Sequence, residues 1–353
     1  MPLRAYRTGL ITTDQPGTYP PPPWKGRGWH AVLERARPNE RESITTHYTD
    51  PGSNAAQVVS GSEVVVMAPS RISAQRGLDG IWAALHMLQG NPPFTDQVPE
   101  AFPADEQLSE GLSPLDLKRL EATRFHQNNI CLATYAGAKA SHRRDLTYAL
   151  ALYHLSQSIH SNYHITLDPF HSPNIPLSAF PSDHVRFAYA IVTAYAVLEQ
   201  LGLEIRASQK APSRIGGVWN PPVKADLEKR LRARHVDLSD SALLDLRGPG
   251  TRIERTRPVA PILRRASWAR GQVRDVEVEV VDAIAHVSWL RSKVAAHKMG
   301  ELVPALSIYD VANAQYLARR LLSSALGLWR HHQRPQEPEG YEAPPKRKAH
   351  QEL

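Results

Sequence analysis

The feature that most constrains the fold is the recurrence of apolar residues at helical spacing through most of the chain after Pro114. Apolar residues three and four positions apart lie on one face of an α-helix, so each such run predicts an amphipathic helix. Proline and glycine clusters separate the runs and end them. The predicted helices are 114–136, 142–162, 183–204, 222–235, 272–298 and 307–331. This pattern predicts a mainly α protein.

The first third of the chain has a different pattern. Residues 1–53 are rich in proline, glycine and charge, which predicts an irregular arm with short strands. The valine-rich stretch 57–68 predicts a strand, and 70–88 predicts a helix. We therefore expect five regions, which are an irregular Pro-rich arm (1–53), a small α/β module and linker (54–113), a helical connector (114–182), a helical bundle (183–331) and a disordered basic tail (332–353).

The charge of the chain favours polyanionic partners. The formal net charge is +7, and it is concentrated between Arg230 and Arg274, where eleven arginines face four acids. Arginine forms planar, two-pronged hydrogen bonds that suit phosphate groups. A solvated basic surface and a nucleic-acid footprint remain equally open on charge alone.

The cysteine content and the N-terminus bear on location. One cysteine, Cys131, excludes an intrachain disulfide and an all-cysteine zinc site. The N-terminus has no apolar core of a signal peptide, and the best apolar run, 187–198, is too short to span a bilayer. These features predict a soluble cytoplasmic protein.

The predicted helix 272–298 contains an unusual pair of residues. Its apolar positions follow alternating steps of four and three, as in a coiled-coil seam; they are Val276, Val280, Ala283, Val287, Leu290 and Val294. His297 is the next position of this seam, and Arg291 lies at its edge. A cation near a buried seam costs free energy unless a partner compensates it. The pair is therefore a site candidate.

The spacing of this pair carries no information by itself. An arginine followed by four to six residues and a histidine occurs at Arg41/His47, Arg119/His126, Arg230/His235 and Arg291/His297. The composition gives about four such pairs by chance. Only the last pair lies on a seam late in a long helix, followed by a break and a second amphipathic helix.

This arrangement resembles the HEPN superfamily, whose R-x4–6-H motif lies in a late helix of a small bundle. The stretch 289–298, Trp-Leu-Arg-Ser-Lys-Val-Ala-Ala-His-Lys, looks like the common LRN-x-x-xH form. The helix 189–203 is similar to an early HEPN helix that carries an acidic residue, here Glu199. The resemblance covers 183–331. Two departures are Ser292, where Asn or Asp often follows the arginine, and a spacing of five rather than four.

The resemblance implies an RNA-binding homodimer that is a metal-independent endoribonuclease of the defence or toxin type and needs no cofactor. Arg291 would stabilise the phosphate, His297 would act as general base or acid, and Glu199 and Ser292 would orient them. The apolar seam could supply the dimer contact. The RNA backbone would follow the basic stretch 230–274, represented by Arg252, Arg255, Arg257, Arg264, Arg265 and Arg270.

Two other interpretations remain open. In the first, Arg291 pairs with a buried acid such as Glu199 or Asp282, and His297 caps its helix. The chain is then a non-catalytic helical scaffold or sensor subunit whose α/β module and helical bundle bind partner proteins. In the second, a metal hydrolase uses a group of histidines with one aspartate. These residues are His154, His160, His164, His171 and Asp168.

Overall fold

The computed structural model describes residues 2–12, 22–35, 62–89, 101–103, 129–160, 181–247, 273–292 and 306–329. Seven helices lie within these residues, and the chain is mainly α, as predicted. They are α1 (Arg71–Gln89), α2 (Ile130–Ser141), α3 (Arg144–Ile159), α4 (Pro181–Gln200), α5 (Pro221–Ala233), α6 (Val280–Leu290) and α7 (Ile308–Ala325). No helix of these segments is both long enough and apolar enough to cross a bilayer.

An antiparallel five-stranded sheet occupies the N-terminal part, in the order β2-β3-β4-β1-β5. Its strands are β1 (Arg4–Thr12), β2 (Trp24–Gly26), β3 (Trp29–Arg35), β4 (Ser62–Ala68) and β5 (Phe102–Pro103). The central strand β4 buries three consecutive valines, which fits a strand covered on both faces. Three of these strands, β1, β2 and β3, lie within the segment 1–53 that was predicted as an arm with short strands. Arg7 and the buried Glu63 form an ion pair between β1 and β4.

The first two helices connect the sheet to the helical part. Gly77 of α1 lies against the indole of Trp29, where a Cβ would come within 2.8 Å of the ring. Gly137 of α2 lies against the backbone of α1 at Gly80 and Ile81. The glycine at each contact makes room, at Gly77 for the Trp29 ring and at Gly137 for the backbone of α1. One continuous hydrophobic core therefore includes the sheet and the helices.

The helices α3, α4 and α7 form the centre of the helical part. Ser156 of α3 donates a hydrogen bond of 2.8 Å to the carbonyl of Ala190 on α4. Gln315 of α7 donates to the carbonyls of Ser156 at 3.1 Å and His160 at 2.7 Å. These buried bonds fix the three helices relative to each other. A capping box at Ser307 and Asp310 begins α7.

The predicted helix 272–298 is wrong in its first part. Val273–Val278 is strand β9, which pairs with β8 (Ala242–Arg247), and α6 begins only at Val280. The stretch Val-Arg-Asp-Val-Glu-Val has charged residues and β-branched valines that suit a strand with one covered face. The seam residues Val280, Ala283, Val287 and Leu290 are buried inside the chain, so they are not free for a dimer contact.

The other helix predictions differ from the structure mainly at their ends. The segments 142–162, 183–204, 222–235 and 307–331 correspond to α3, α4, α5 and α7. Of 114–136, the described part begins at Asn129, whose left-handed φ of 80° precedes α2. A short hairpin, β6 (Arg214–Ile215) and β7 (Val218–Trp219), lies in the predicted loop 205–221.

Candidate functional site

Arg291 lies at the C-terminal end of α6. It is the residue that follows the last helical position, and its backbone remains helical with φ −57° and ψ −48°. α6 forms because seven of its eleven residues are buried against the core, and its α-helical hydrogen bonding changes to a π-helical turn at Arg291 and Ser292. A cation at this end is favoured because the last carbonyl groups carry partial negative charge.

The guanidinium of Arg291 contacts two residues of α4. Its Nη2 lies 3.4 Å from Oε1 of Glu199, and its carbon lies 5.6 Å from the centre of the Tyr195 ring. Tyr195 and Glu199 are four residues apart and therefore share one face of α4. Both charged side chains are 41% exposed. The pair is therefore partly exposed at the surface and is not the buried ion pair that the scaffold interpretation predicted. The guanidinium stays accessible to solvent.

Tyr195 is a functional candidate that the sequence analysis missed. Its side chain is buried, and its hydroxyl donates to the hydroxyl of Ser288 on α6 at 3.3 Å. Burial raises the pKa of Tyr195, and Glu199 adds to the effect, while the Ser288 hydrogen bond and Arg291 oppose it. The hydroxyl therefore stays protonated near neutral pH. The sequence feature that could have identified Tyr195 is its position one helical turn before Glu199, on the same face of α4.

The other acid considered for Arg291 has different partners. Asp282, in the first turn of α6, pairs with Arg214 and accepts a hydrogen bond of 2.7 Å from the indole nitrogen of Trp219. Arg214 also lies over the Trp219 ring at 4.8 Å. Asp282 therefore ties the β6–β7 hairpin to α6 and does not take part in the contacts of Arg291.

Two further arginines lie at the end of α4. Arg230 of α5 donates to the carbonyls of Gly202 and Glu204, the latter at 2.9 Å. Arg206 pairs with the Glu204 carboxylate at 2.8 Å. The turn at Gly202, where φ is +70°, leaves carbonyl oxygens that accept hydrogen bonds from Arg230. Each arginine near this helix end also has a carboxylate partner, which is Glu204 for Arg206, Asp226 for Arg230 and Glu199 for Arg291.

The remaining predicted site residues are placed as follows. Ser292 is half-buried, and its hydroxyl donates to the Trp289 carbonyl at 3.4 Å, so it contacts the backbone of α6. His297 lies outside the described residues. The same holds for the arginines predicted to bind RNA, which are Arg252, Arg255, Arg257, Arg264, Arg265 and Arg270.

The histidine of α6 cannot serve in place of His297. His286 is buried, and burial lowers its pKa to about 4. It is therefore neutral at physiological pH and closed to solvent. A base or acid for chemistry at Arg291 has to come from another residue.

The histidines considered for metal binding have packing roles where the structure describes them. The ring of His154 lies edge-on to that of His86 on α1, with centres 4.4 Å apart. The ring of His160 packs on Phe187 with centres 4.8 Å apart. Within the described segments, no three potential ligands are close enough to hold a metal ion. His164, Asp168 and His171 lie outside those segments.

Comparison with known proteins gives no relative. No family model, no curated protein and no solved structure matches this chain. The likeness to the HEPN superfamily therefore depends on the sequence pattern around Arg291.

Proposed function

We propose that this chain is an HEPN-like RNA-binding protein of the cytoplasm and a metal-independent endoribonuclease of the defence or toxin type. The observation that carries the proposal is the environment of Arg291. An ion pair as exposed as Arg291 and Glu199 contributes about 0–1 kcal/mol to stability. A contribution this small to stability does not explain why an arginine stands at position 291. An accessible guanidinium, oriented by a carboxylate and an aromatic ring, is instead suited to a phosphate.

RNA cleavage requires both proton transfer and charge stabilisation at one phosphate. The 2′-oxygen of the RNA attacks the phosphorus, a base removes the 2′-OH proton, and an acid protonates the 5′-oxygen that leaves. The products carry a 2′,3′-cyclic phosphate and a 5′-hydroxyl. In the proposal, Arg291 stabilises the charge on the phosphate, and His297 is the base or acid. Glu199 orients Arg291, and Ser292 supports the backbone beside it.

The proposal includes a homodimer that brings two Arg–His pairs to one cleft. Six positions along a straight helix rotate a side chain by about 240°, so one helix does not easily direct Arg291 and His297 to the same phosphate. The dimer contact has to use a surface other than the α6 seam, because that seam is buried. Size-exclusion chromatography with light scattering tests this part of the proposal.

A second candidate function is a non-catalytic scaffold or sensor subunit that binds partner proteins. The observation that favours it is the tip of the β6–β7 hairpin, where Ile215 is 61% exposed and Val218 is 70% exposed. Two exposed apolar side chains close together at a hairpin tip offer an apolar contact to a partner protein.

The test is cleavage of end-labelled tRNA and total RNA in EDTA by the purified full chain. The double variant Arg291→Ala/His297→Ala removes both proposed groups. Arg186→Ala is the matched control, because Arg186 is an exposed arginine near the opposite end of α4 from Glu199. Thermal unfolding of all three proteins establishes that they are equally folded.

We expect the wild type and Arg186→Ala to cleave RNA and leave 2′,3′-cyclic ends, and the double variant to be inactive. Equal cleavage by the double variant would overturn the assignment of Arg291 and His297. If no protein cleaves RNA, binding of labelled RNA distinguishes the two functions. Binding that weakens steeply with salt and depends on Arg291 supports an RNA-binding protein. Absence of binding favours the scaffold.

A further inference from the structure

A cavity of about 910 Å³ lies between the chain that follows α5 and the C-terminal end of α7. Small-molecule sites have volumes of about 300–1,000 Å³. The polar and aromatic residues at its surface are Arg232, His235, Asp237, Ser239, Ser324 and Trp329. None of them takes part in the contacts of Arg291 described above, so the cavity is a separate site candidate.

Two helix ends build the cavity. Just after α5, His235 has a φ of 61° that reverses the chain, and the Val236 amide donates to the Leu231 carbonyl at 3.1 Å. Just after α7, Gly327 has a φ of +71°, and the Leu328 amide donates to the Ser323 carbonyl at 2.8 Å. These backbone bonds complete both helix ends, so the lining side chains are not needed to cap them.

The aromatic side of the cavity is held rigidly. The indole nitrogen of Trp329 donates to Oδ2 of Asp240 at 3.1 Å. The guanidinium of Arg320 lies over the ring at 5.3 Å and also binds Asp240. Arg320 is only 1% exposed, so these contacts are buried and well defined. A fixed aromatic ring at a cavity surface is suited to the flat ring of a ligand.

The cavity surface also carries a cation on α5. Arg232 is 63% exposed, and its partner is Glu228, one turn earlier on the same helix, at 3.3 Å. Such a surface pair is weak, so Arg232 can bind a ligand anion. Lys139 lies beside Gly327, where its Nζ is 2.7 Å from the Leu326 carbonyl. The acid at the cavity surface, Asp237, already accepts hydrogen bonds from the amide and hydroxyl of Ser239.

A buried hydroxyl also points to a ligand. Ser324 is 2% exposed and lines the cavity, and its Oγ has no hydrogen-bond partner within the part of the chain that the structure describes. Buried polar groups are nearly always paired, by protein or by a bound molecule. A ligand with a hydrogen-bonding edge would satisfy this hydroxyl.

We propose that this cavity binds a nucleotide. The base lies against Trp329, the phosphate binds Arg232 and His235, and a polar edge of the ligand pairs with Ser324. A free nucleotide and one nucleotide of an RNA strand share this chemistry. The site does not require the proposed ribonuclease function, because Arg291 and its partners take no part in it.

The test is isothermal titration of the full chain with AMP, adenosine, inorganic phosphate and the trinucleotide ApApA. The first variant is Arg232→Ala. Its matched control is Lys229→Ala, an exposed cation of the same helix that does not line the cavity. The second variant is Ser324→Ala, which removes the buried hydroxyl. Thermal unfolding without ligand shows whether each variant is folded.

We expect AMP to bind more tightly than adenosine or phosphate alone. Arg232→Ala should weaken AMP binding about tenfold, as expected for loss of a charged hydrogen bond, and should leave adenosine binding unchanged. Ser324→Ala should weaken the binding of both AMP and adenosine, and Lys229→Ala should weaken the binding of neither. Tighter binding of ApApA than of AMP, with the same dependence on Arg232, identifies the ligand as part of an RNA strand. Absence of binding by AMP and ApApA at millimolar concentration, or equal binding by the two α5 variants, would overturn the proposal.

Discussion

Two glycines at the crossing of α1 and α2 should respond in opposite ways to alanine. A Cβ on Gly137 would lie 2.8 Å from the Ile81 nitrogen and 2.9 Å from the carbonyl carbon and oxygen of Gly80. A Cβ on Gly80 would meet its nearest atom, the Gly137 carbonyl oxygen, at 3.9 Å, which is an ordinary contact. Both residues lie inside helices, so the intrinsic helix preference for alanine is the same at both sites.

The expected change in the free energy of unfolding follows from these distances. Alanine in place of glycine stabilises a helix interior by roughly 0.5–1 kcal/mol, and this is the gain expected for Gly80→Ala. At Gly137 the clash is with backbone, which cannot turn away as a side chain can. Overpacking of this kind costs about 1–3 kcal/mol, so the net loss for Gly137→Ala should be about 1–2 kcal/mol.

Urea unfolding followed by circular dichroism measures both variants against the wild type. The midpoint should fall for Gly137→Ala and rise for Gly80→Ala, with unchanged slope. A Gly137→Ala variant that is as stable as wild type would show that the two helices do not cross as closely as the structure has them. The reasoning would then be refuted.

Three further predictions concern pH, capping and the Arg291 site. Burial, with repulsion from the neighbouring histidine, lowers the pKa of His86 to about 3. The unfolded chain therefore binds the proton first as pH falls below 6.5, and His86 alone should lower stability by about 1.4 kcal/mol per pH unit until its folded pKa is reached. The buried His286 adds a loss of the same sign. His86→Phe should therefore reduce the slope in unfolding measured between pH 7 and pH 4 by about 1.4 kcal/mol per pH unit. Ser307→Ala removes the side-chain cap of α7 and should cost about 1 kcal/mol in the same urea assay, whereas no change would mean that the cap is not formed. Glu199→Gln should change stability by less than about 1 kcal/mol, because the pair with Arg291 is exposed, yet should lower RNA cleavage if it orients Arg291. A large stability loss without an activity change would contradict this role.

The helices were the most predictable part of the molecule, because each buries one continuous face and the spacing of apolar residues records that face. α4 is an example: its predicted range 183–204 differs from Pro181–Gln200 by only a few residues. The predicted end was too late because the turn at Gly202 continues the apolar pattern through Leu201 and Leu203, which are also buried. The spacing of apolar residues indicates which residues are buried, and buried residues can continue beyond the last residue of a helix.

The same reasoning explains the error at 272–298. Val276 and Val280 are four residues apart, as on a helix, but Val276 lies in β9 and Val280 begins α6. The pairing of β9 depends on β8, which lies 26 or more residues earlier in the sequence. Asn313 of α7 further holds β8 by hydrogen bonds to the amide and carbonyl of Asp245. No local pattern carries this information, because a strand needs a partner that only the folded chain supplies.

The mainly α class and most helix positions were predictable from the amino-acid pattern, since they depend on contacts within a few residues. The pattern also singled out Arg291 and named Glu199 as a partner, but it left open whether the pair was buried. The packing of α4 against α6 shows that Glu199 rather than Asp282 faces Arg291, that the pair is partly exposed, and that Tyr195 lies beside it. Solvent exposure and side-chain contacts between these helices depend on how the two helices pack, and residues 92 positions apart have no local pattern that records this packing.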